Sequence, residues 1–182
     1  MNKQDCIALF NSLHPRFFDR ADIRALPEDE VFEEMLLPLS GFDARVYDRK
    51  TDGSFGFYSG DIGELKRCVE AVESGWSEFF SESSRIFCGY VGGRLASFCI
   101  VDDMGAHRVN GRTFRVGGPG CVGTLPEYRC RGIGLTMVGQ VTQLLKDEGF
   151  DYSYIHYTAI AKWYERLGYI PILKWSRRGI AE

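Results

Sequence analysis

The chain has 182 residues, enough for one domain with a real core, and its 45% hydrophobic and 26% charged residues describe a folded chain rather than a disordered one. A formal net charge of -3 gives no electrostatic reason to expect nucleic acid. No apolar run approaches the ~20 residues of a membrane span, and polar and acidic residues interrupt the apolar start, unlike a signal peptide.

The six cysteines (Cys6, Cys68, Cys88, Cys99, Cys121 and Cys130) form no C-x-x-C pair, and His14, His107 and His156 are scattered. That spacing argues against a zinc site, so no metal is expected. Reduced, mostly buried thiols in a cytoplasmic protein are the expectation.

In chain order, Cys6, Leu9, Phe10 and Leu13 fall on one helical face. Pro27 followed by Glu28, Asp29 and Glu30 suits the start of a second short helix. Residues 1–41 are therefore expected to be a helical extension ahead of a main domain at 42–182. Arg45–Lys50 and Ser54–Ser59 read as a hairpin about Asp52-Gly53. Asp61, with Glu64 three residues on, caps a helix whose inner stripe is Leu65, Cys68, Val69 and Val72.

Gly92-Gly93 and Asn110-Gly111 mark hairpins. A long strand runs from Arg112 to Leu125, broken by a bulge or kink at Gly117-Gly118-Pro119-Gly120. A helix follows from about Gly134 to Glu148, then a strand at Tyr152–Tyr157. Next comes a helix at Ala159–Leu167 with Ile160, Trp163, Tyr164 and Leu167 on one face, and one last strand at Ile170–Trp175. The alternation predicts an α/β or α+β domain, a mixed sheet with helices packed on it.

The most informative stretch is Pro126-Glu-Tyr-Arg-Cys-Arg-Gly-Ile-Gly134: a strand ends, a basic glycine-rich loop follows, and an amphipathic helix begins. The first N–H groups of a helix have no internal partner and carry the positive end of its dipole. With Gly132 and Gly134 for close approach, and Arg129 and Arg131 at the rim, this is a cradle for a pyrophosphate. The third glycine of a Rossmann loop is missing, since Met137 stands there, and the Gly-Lys-Ser/Thr of a P-loop is absent.

Arg129-x-x-Gly132-x-Gly134 resembles the Q/R-x-x-G-x-G/A motif of GNAT (GCN5-related) N-acetyltransferases. Downstream, Trp163-Tyr-Glu-Arg-Leu-Gly-Tyr169 is similar to the family's second landmark, one helix and one strand away. The resemblance implies a GNAT fold with a mostly antiparallel twisted sheet. It implies acetyl-CoA in a cleft where the strand ending at Leu125 splays from that at 152–157. The pantetheine arm would pair with Val122, Gly123 and Thr124. The N–H groups of Cys130, Arg131, Gly132, Ile133, Gly134 and Leu135 would hold the pyrophosphate, and an amine would attack the thioester directly.

Tyr164 matches the position that protonates the departing thiolate. An alkyl ammonium is neutral only about once in ~2,500 molecules at pH 7, so a base is needed. Glu127, His156, Asp102 and Asp103 are the candidates, beside a base acting through water. Cys121 and Cys130 suggest a covalent route, and direct transfer is preferred. The acceptor is expected to be the amine of a small molecule or a peptide, with neither nucleic acid nor membrane as partner. The alternative is a non-catalytic acyl-CoA-binding regulatory module. The apolar extension is expected to wall the acceptor side in place of a missing last hairpin, its alternatives being a remote face or a homodimer contact.

Overall fold

A computed structural model describes residues 1–47 and 51–181. Helix α1 (Lys3–Leu13) opens with a capping box in which Asn2 accepts from the Asp5 N–H and Asp5 accepts from Asn2. It buries Cys6, Leu9 and Phe10 of the expected stripe and leaves Leu13 half-buried. The second helix, α2 (Ala21–Arg24), ends before Pro27 rather than starting there. Phe32–Pro38 is strand β1, and this corrects the reading of residues 1–41 as helical. Met35, Leu36 and Leu37 are buried consecutively because β1 is covered on both faces, a run that lacks the alternation of a half-exposed strand.

Ala44–Val46 is a 3₁₀ turn held by Asp43, not half of a hairpin. Residues 48–50 of that expected hairpin lie outside the described residues. Strand β2 (Gly53–Phe57) pairs instead with β3 (Ile86–Val91). Between them α3 (Ile62–Glu70) is capped as expected, the Asp61 carboxylate accepting from the Glu64 N–H at 2.8 Å. Strand β3 turns through Gly92-Gly93 into β4 (Arg94–Val109), and Asn110-Gly111 turns β4 into β5 (Arg112–Thr124).

Helix α4 (Ile133–Asp147), strand β6 (Tyr152–Thr158), helix α5 (Ala161–Glu165) and strand β7 (Ile170–Ser176) complete the expected order. Ile160 departs from expectation. It precedes α5 as its N-cap and is 58% exposed. A further short strand, β8 (Gly179–Ile180), pairs with β7, so the chain closes with a hairpin where one strand was expected.

The eight strands form one sheet in the order β2-β3-β4-β5-β6-β1-β7-β8. Every pairing is antiparallel except β5 with β6. Strand β1 thus lies inside the sheet, antiparallel to both β6 and β7. Helices α4 and α5 cover one face, where Met137, Val138, Val141, Leu145 and Tyr164 pack on Cys99, Val101, Met35 and Ile155. Helices α1 and α3 cover the other. Leu9 packs on Leu36, Val116 and Tyr154, and Leu65 and Val69 pack on Phe98 and Ile100. No helix among the described residues is long and apolar enough to cross a membrane.

Candidate acyl-transfer site

Strands β5 and β6 pair only at Val116 with Tyr152 and Gly117 with Ser153. Beyond that point they part, while β5 stays paired with β4 as far as Thr124. Gly118 marks the last close approach, since a Cβ there would stand 2.0 Å from the Tyr154 carbonyl oxygen. From Gly118 onward the β6-facing edge of β5 presents backbone donors and acceptors that no strand among the described residues takes up. Such an edge suits an extended, amide-bearing ligand that adds itself like a strand.

The expected bulge belongs just after the glycine tetrad. Gly117–Gly120 remain in register with Asp103–Ile100, and Cys121-Val122 stand opposite the single residue Cys99. Cys121 takes φ 47°, a left-handed conformation that bends β5 at the opening.

At the mouth lies the loop before α4. Pro126–Tyr128 form a 3₁₀ turn, Cys130 has φ 61° and Gly132 φ 80°. No side chain among the described residues caps α4, so the N–H groups of Ile133, Gly134 and Leu135 are left for an anion. Gly134 is fixed by packing, because a Cβ there would meet Thr124 Oγ1 at 2.5 Å. The two arginines do more than line the rim. Arg129 Nε donates to the Thr124 carbonyl at 3.1 Å, tying the loop to the end of β5, and Arg131 pairs with Asp52. Cys130 is exposed on this loop, while Cys121 lies at the bulge with its thiol pushed by burial up to about 11. These residues fit the pyrophosphate and pantetheine arm expected of them: an uncapped helix start meets an unpaired strand edge.

Tyr164 is 5% exposed on α5, and burial raises its phenol well above the usual range, helped by Tyr169, Cys99 and Cys121 nearby. Its hydroxyl makes no hydrogen bond among the described residues. Tyr169, by contrast, is anchored to Thr142 at 2.9 Å and Ser153 at 2.6 Å, which locks the second motif onto α4 and β6.

The base candidates separate clearly. Asp103 is paired with Arg115 at 2.8 Å. Glu127 is exposed on its 3₁₀ turn, where its charge is felt at Cys68 of α3 rather than near β6. Asp102 is half-buried, and burial raises its carboxyl above the ordinary range. His156 lies on β6 beyond the point where β5 departs, and its Nδ1 donates to both oxygens of Glu34 at 2.9 and 3.0 Å.

Glu34 is the residue that sequence reasoning missed. It is fully buried in β1, and its carboxylate also accepts from Tyr154 Oη at 2.5 Å, Trp175 Nε1 at 2.6 Å and the Tyr157 N–H at 3.3 Å. Both neighbouring strands carry an extra residue opposite it, and Tyr157 takes φ 57°. An acidic residue beside Met-Leu-Leu was the available signal, but it could be read only once that segment was known to be a strand. His14, just past α1, stacks on His156 at 3.8 Å and 17°. The three groups set ligand-type atoms within 4.8 Å of one another. Stacked rings hold their in-plane lone pairs side by side rather than convergent, and the Glu34 oxygens are already engaged. The arrangement suits proton handling.

A family model for the acetyltransferase (GNAT) domain matches residues 65–172, more than half of the chain. The chain belongs to the GNAT acetyltransferase family. Acetyl transfer is the chemistry of that family, and GNAT domains use acetyl-CoA as donor. Among solved structures, the chain is similar to the GCN5-related glucosamine N-acetyltransferase region of a fungal multi-domain β-N-acetylglucosaminidase. That match has TM-score 0.66 and 21% identity, over 81% of this chain and 20% of that one. It is also similar to GCN5-related N-acetyltransferases from Sphaerobacter thermophilus (TM-score 0.60, 16% identity, 80% of this chain and 50% of that) and from Kribbella flavida (TM-score 0.56, 16% identity, 80% and 56%). This chain spans less than two thirds of each of those structures, and the likeness is one of fold. No curated protein sequence is similar enough to match it.

Proposed function

We propose that this GNAT domain moves an acetyl group from acetyl-CoA to the primary amine of an acceptor by direct attack on the thioester. The observation that carries this reading is the parting of β5 from β6 after Gly117, with the uncapped start of α4 at its mouth. The pyrophosphate rests on the N–H groups of Cys130–Leu135, and the pantetheine amides pair along Val122, Gly123 and Thr124. The acetyl group then reaches the bend at Cys121.

His156 is the general base. Glu34 accepts the Nδ1 proton and so leaves Nε2 as the acceptor for the proton of the incoming ammonium. Tyr164 is the general acid. Burial keeps its phenol protonated across the working pH range. The same burial pushes the nearby Cys121 thiol up to about 11, so a CoA thiolate released there is also a stronger base than in water, which offsets part of the rise in the phenol. A domain that only bound acyl-CoA would need the loop but neither Tyr164 nor the Glu34–His156 pair.

The test is thiol release from acetyl-CoA by the purified protein with a panel of primary amines. Glucosamine is tried first, because an amino sugar is the acceptor named for the similar fungal region. Thiol release that depends on the amine, with a matching acetylated product, is expected. CoA binding by calorimetry without any amine-dependent release would favour the non-catalytic module.

A further inference from the structure

The face of the sheet covered by α1 and α3 holds a cavity of about 400 Å³ beside the bend in β5. It is lined by Phe79, Ser83, Ser84, Arg85, Asp102 and Cys121, with Ile100 and Val101 beneath. Asp102 alternates with Phe98 and Ile100 along β4 and so faces the α3 side. Its register partner is Gly118, and its Oδ2 lies 2.8 Å from where a Cβ on Gly120 would be. The carboxylate therefore rests on the backbone of β5 just where that strand leaves β6. Glycine at 120 leaves room for it.

The other charged groups nearby are matched. Arg85 pairs with Glu148 at 2.5 Å and Asp103 with Arg115. Asp102 forms no ion pair and its side chain makes no hydrogen bond among the described residues, although it is half-buried. A carboxylate withdrawn from water with no partner costs stability, and such groups are retained where a ligand supplies the missing charge. The rest of the wall agrees. Phe79 is 63% exposed at the rim, a platform for a cation, and the Ser83 and Ser84 hydroxyls, each tied to Ser81 Oγ at 2.9 Å, make that part of the wall polar. Cys121 lines the cavity and lies near enough to Tyr164 to affect its titration, so it joins the two sets of surroundings.

We infer that this cavity is the acceptor site and that Asp102 binds the ammonium of a small, singly cationic amine with a hydroxylated or apolar body. Amines that carry a carboxylate beside the nitrogen meet Asp102 as a like charge and are excluded. The inference rests on the proposed acetyl transfer and gives it a substrate class. Asp102 holds the nitrogen on one side of the opening, and His156 faces the same side of the sheet from β6.

Two readouts test it. The first is calorimetric titration of glucosamine, ethanolamine and aspartate into CoA-saturated protein, wild type and Asp102→Asn, a substitution that keeps the side chain's size. Glucosamine and ethanolamine should bind and aspartate should not. Asp102→Asn should weaken the two cations ~10–100-fold, the loss expected for one charge-assisted hydrogen bond, with CoA affinity unchanged. The second is acetyl transfer to the same amines, where KM should rise by a similar factor. Asp102-dependent binding without transfer would sink the catalytic reading and leave the cation site standing. Affinities and KM within twofold of wild type, or a preference for aspartate, would overturn the assignment even if transfer is robust.

Discussion

The Glu34 carboxylate reaches across from β1 to Nδ1 of His156 on β6 at 2.9 Å, a contact between residues 122 positions apart in the chain. Its oxygens also accept from Tyr154, Trp175 and the Tyr157 N–H, so Glu34 stands as an acceptor to Nδ1 and sets the imidazole's tautomer. His156→Gln should lower kcat by ~10²–10⁴ with CoA affinity kept, the usual worth of a general base. Glu34→Gln turns one acceptor oxygen into a donor facing other donors, and should cost ~1–3 kcal/mol of stability for the misfit. Its amide oxygen can still accept from Nδ1, so Glu34→Leu, which leaves no acceptor, is the variant that should move the imidazole proton off Nδ1, as nitrogen-15 NMR of His156 reads directly. Lower stability with an unchanged tautomer would make Glu34 a structural residue only.

Tyr164→Phe removes a hydroxyl that makes no hydrogen bond among the described residues and keeps the ring packed against Trp163 and Tyr169. Turnover should fall ~10²–10⁴-fold, while CoA affinity and Tm stay near wild type. Full turnover would return Tyr164 to the core.

His14 gives the fold a pH dependence with a definite sign. Its Nε2 is sealed without a partner among the described residues. Burial, then the charges of His156, Arg20 and His107, lowers its pKa from 6.5 to about 3. The unfolded chain therefore takes up the proton first. The stability this group contributes is complete above pH 6.5 and is lost as pH falls towards 3, by up to ~1.4 kcal/mol per pH unit and less where water screens the ring. Urea midpoints from pH 8 to 4 should drop more steeply in wild type than in His14→Phe. Parallel curves would contradict this account.

Gly134 and Thr124 should behave as one unit. Gly134→Ala drives a methyl to within 2.5 Å of Thr124 Oγ1 and should destabilise by ~1–3 kcal/mol, as overpacking does. Adding Thr124→Ala removes that oxygen and should restore most of the loss, a coupling that a double-mutant cycle measures. Additive effects would mean that α4 and the end of β5 adjust independently.

Deleting residues 1–40 removes β1 from the interior of the sheet and leaves β6 and β7 without their common partner. The truncated chain should lose its near-UV circular dichroism and aggregate through the two opened edges. A soluble, cooperatively folding truncation would show that the sheet can close without β1.

The sequence by itself determined what short-range chemistry controls. Gly92-Gly93 and Asn110-Gly111 take the positive φ of tight turns, Asp61 caps α3, and the strand–loop–helix at 125–134 is legible because each signal acts within a few residues. The pairing of the two family landmarks lies in the same local register. Tertiary structure alone decided that Phe32–Pro38 is a strand rather than a helix. Its Met-Leu-Leu run has no period until β6 and β7 flank it and α1 and α4 cover its two faces. The same holds for the site. Glu34 next to His156, and Asp102 above Gly120 with no partner among the described residues, are relations between distant segments. They exist only once the sheet has brought those strands together, because a buried charge finds its partner, or is left without one, through packing that no local pattern encodes.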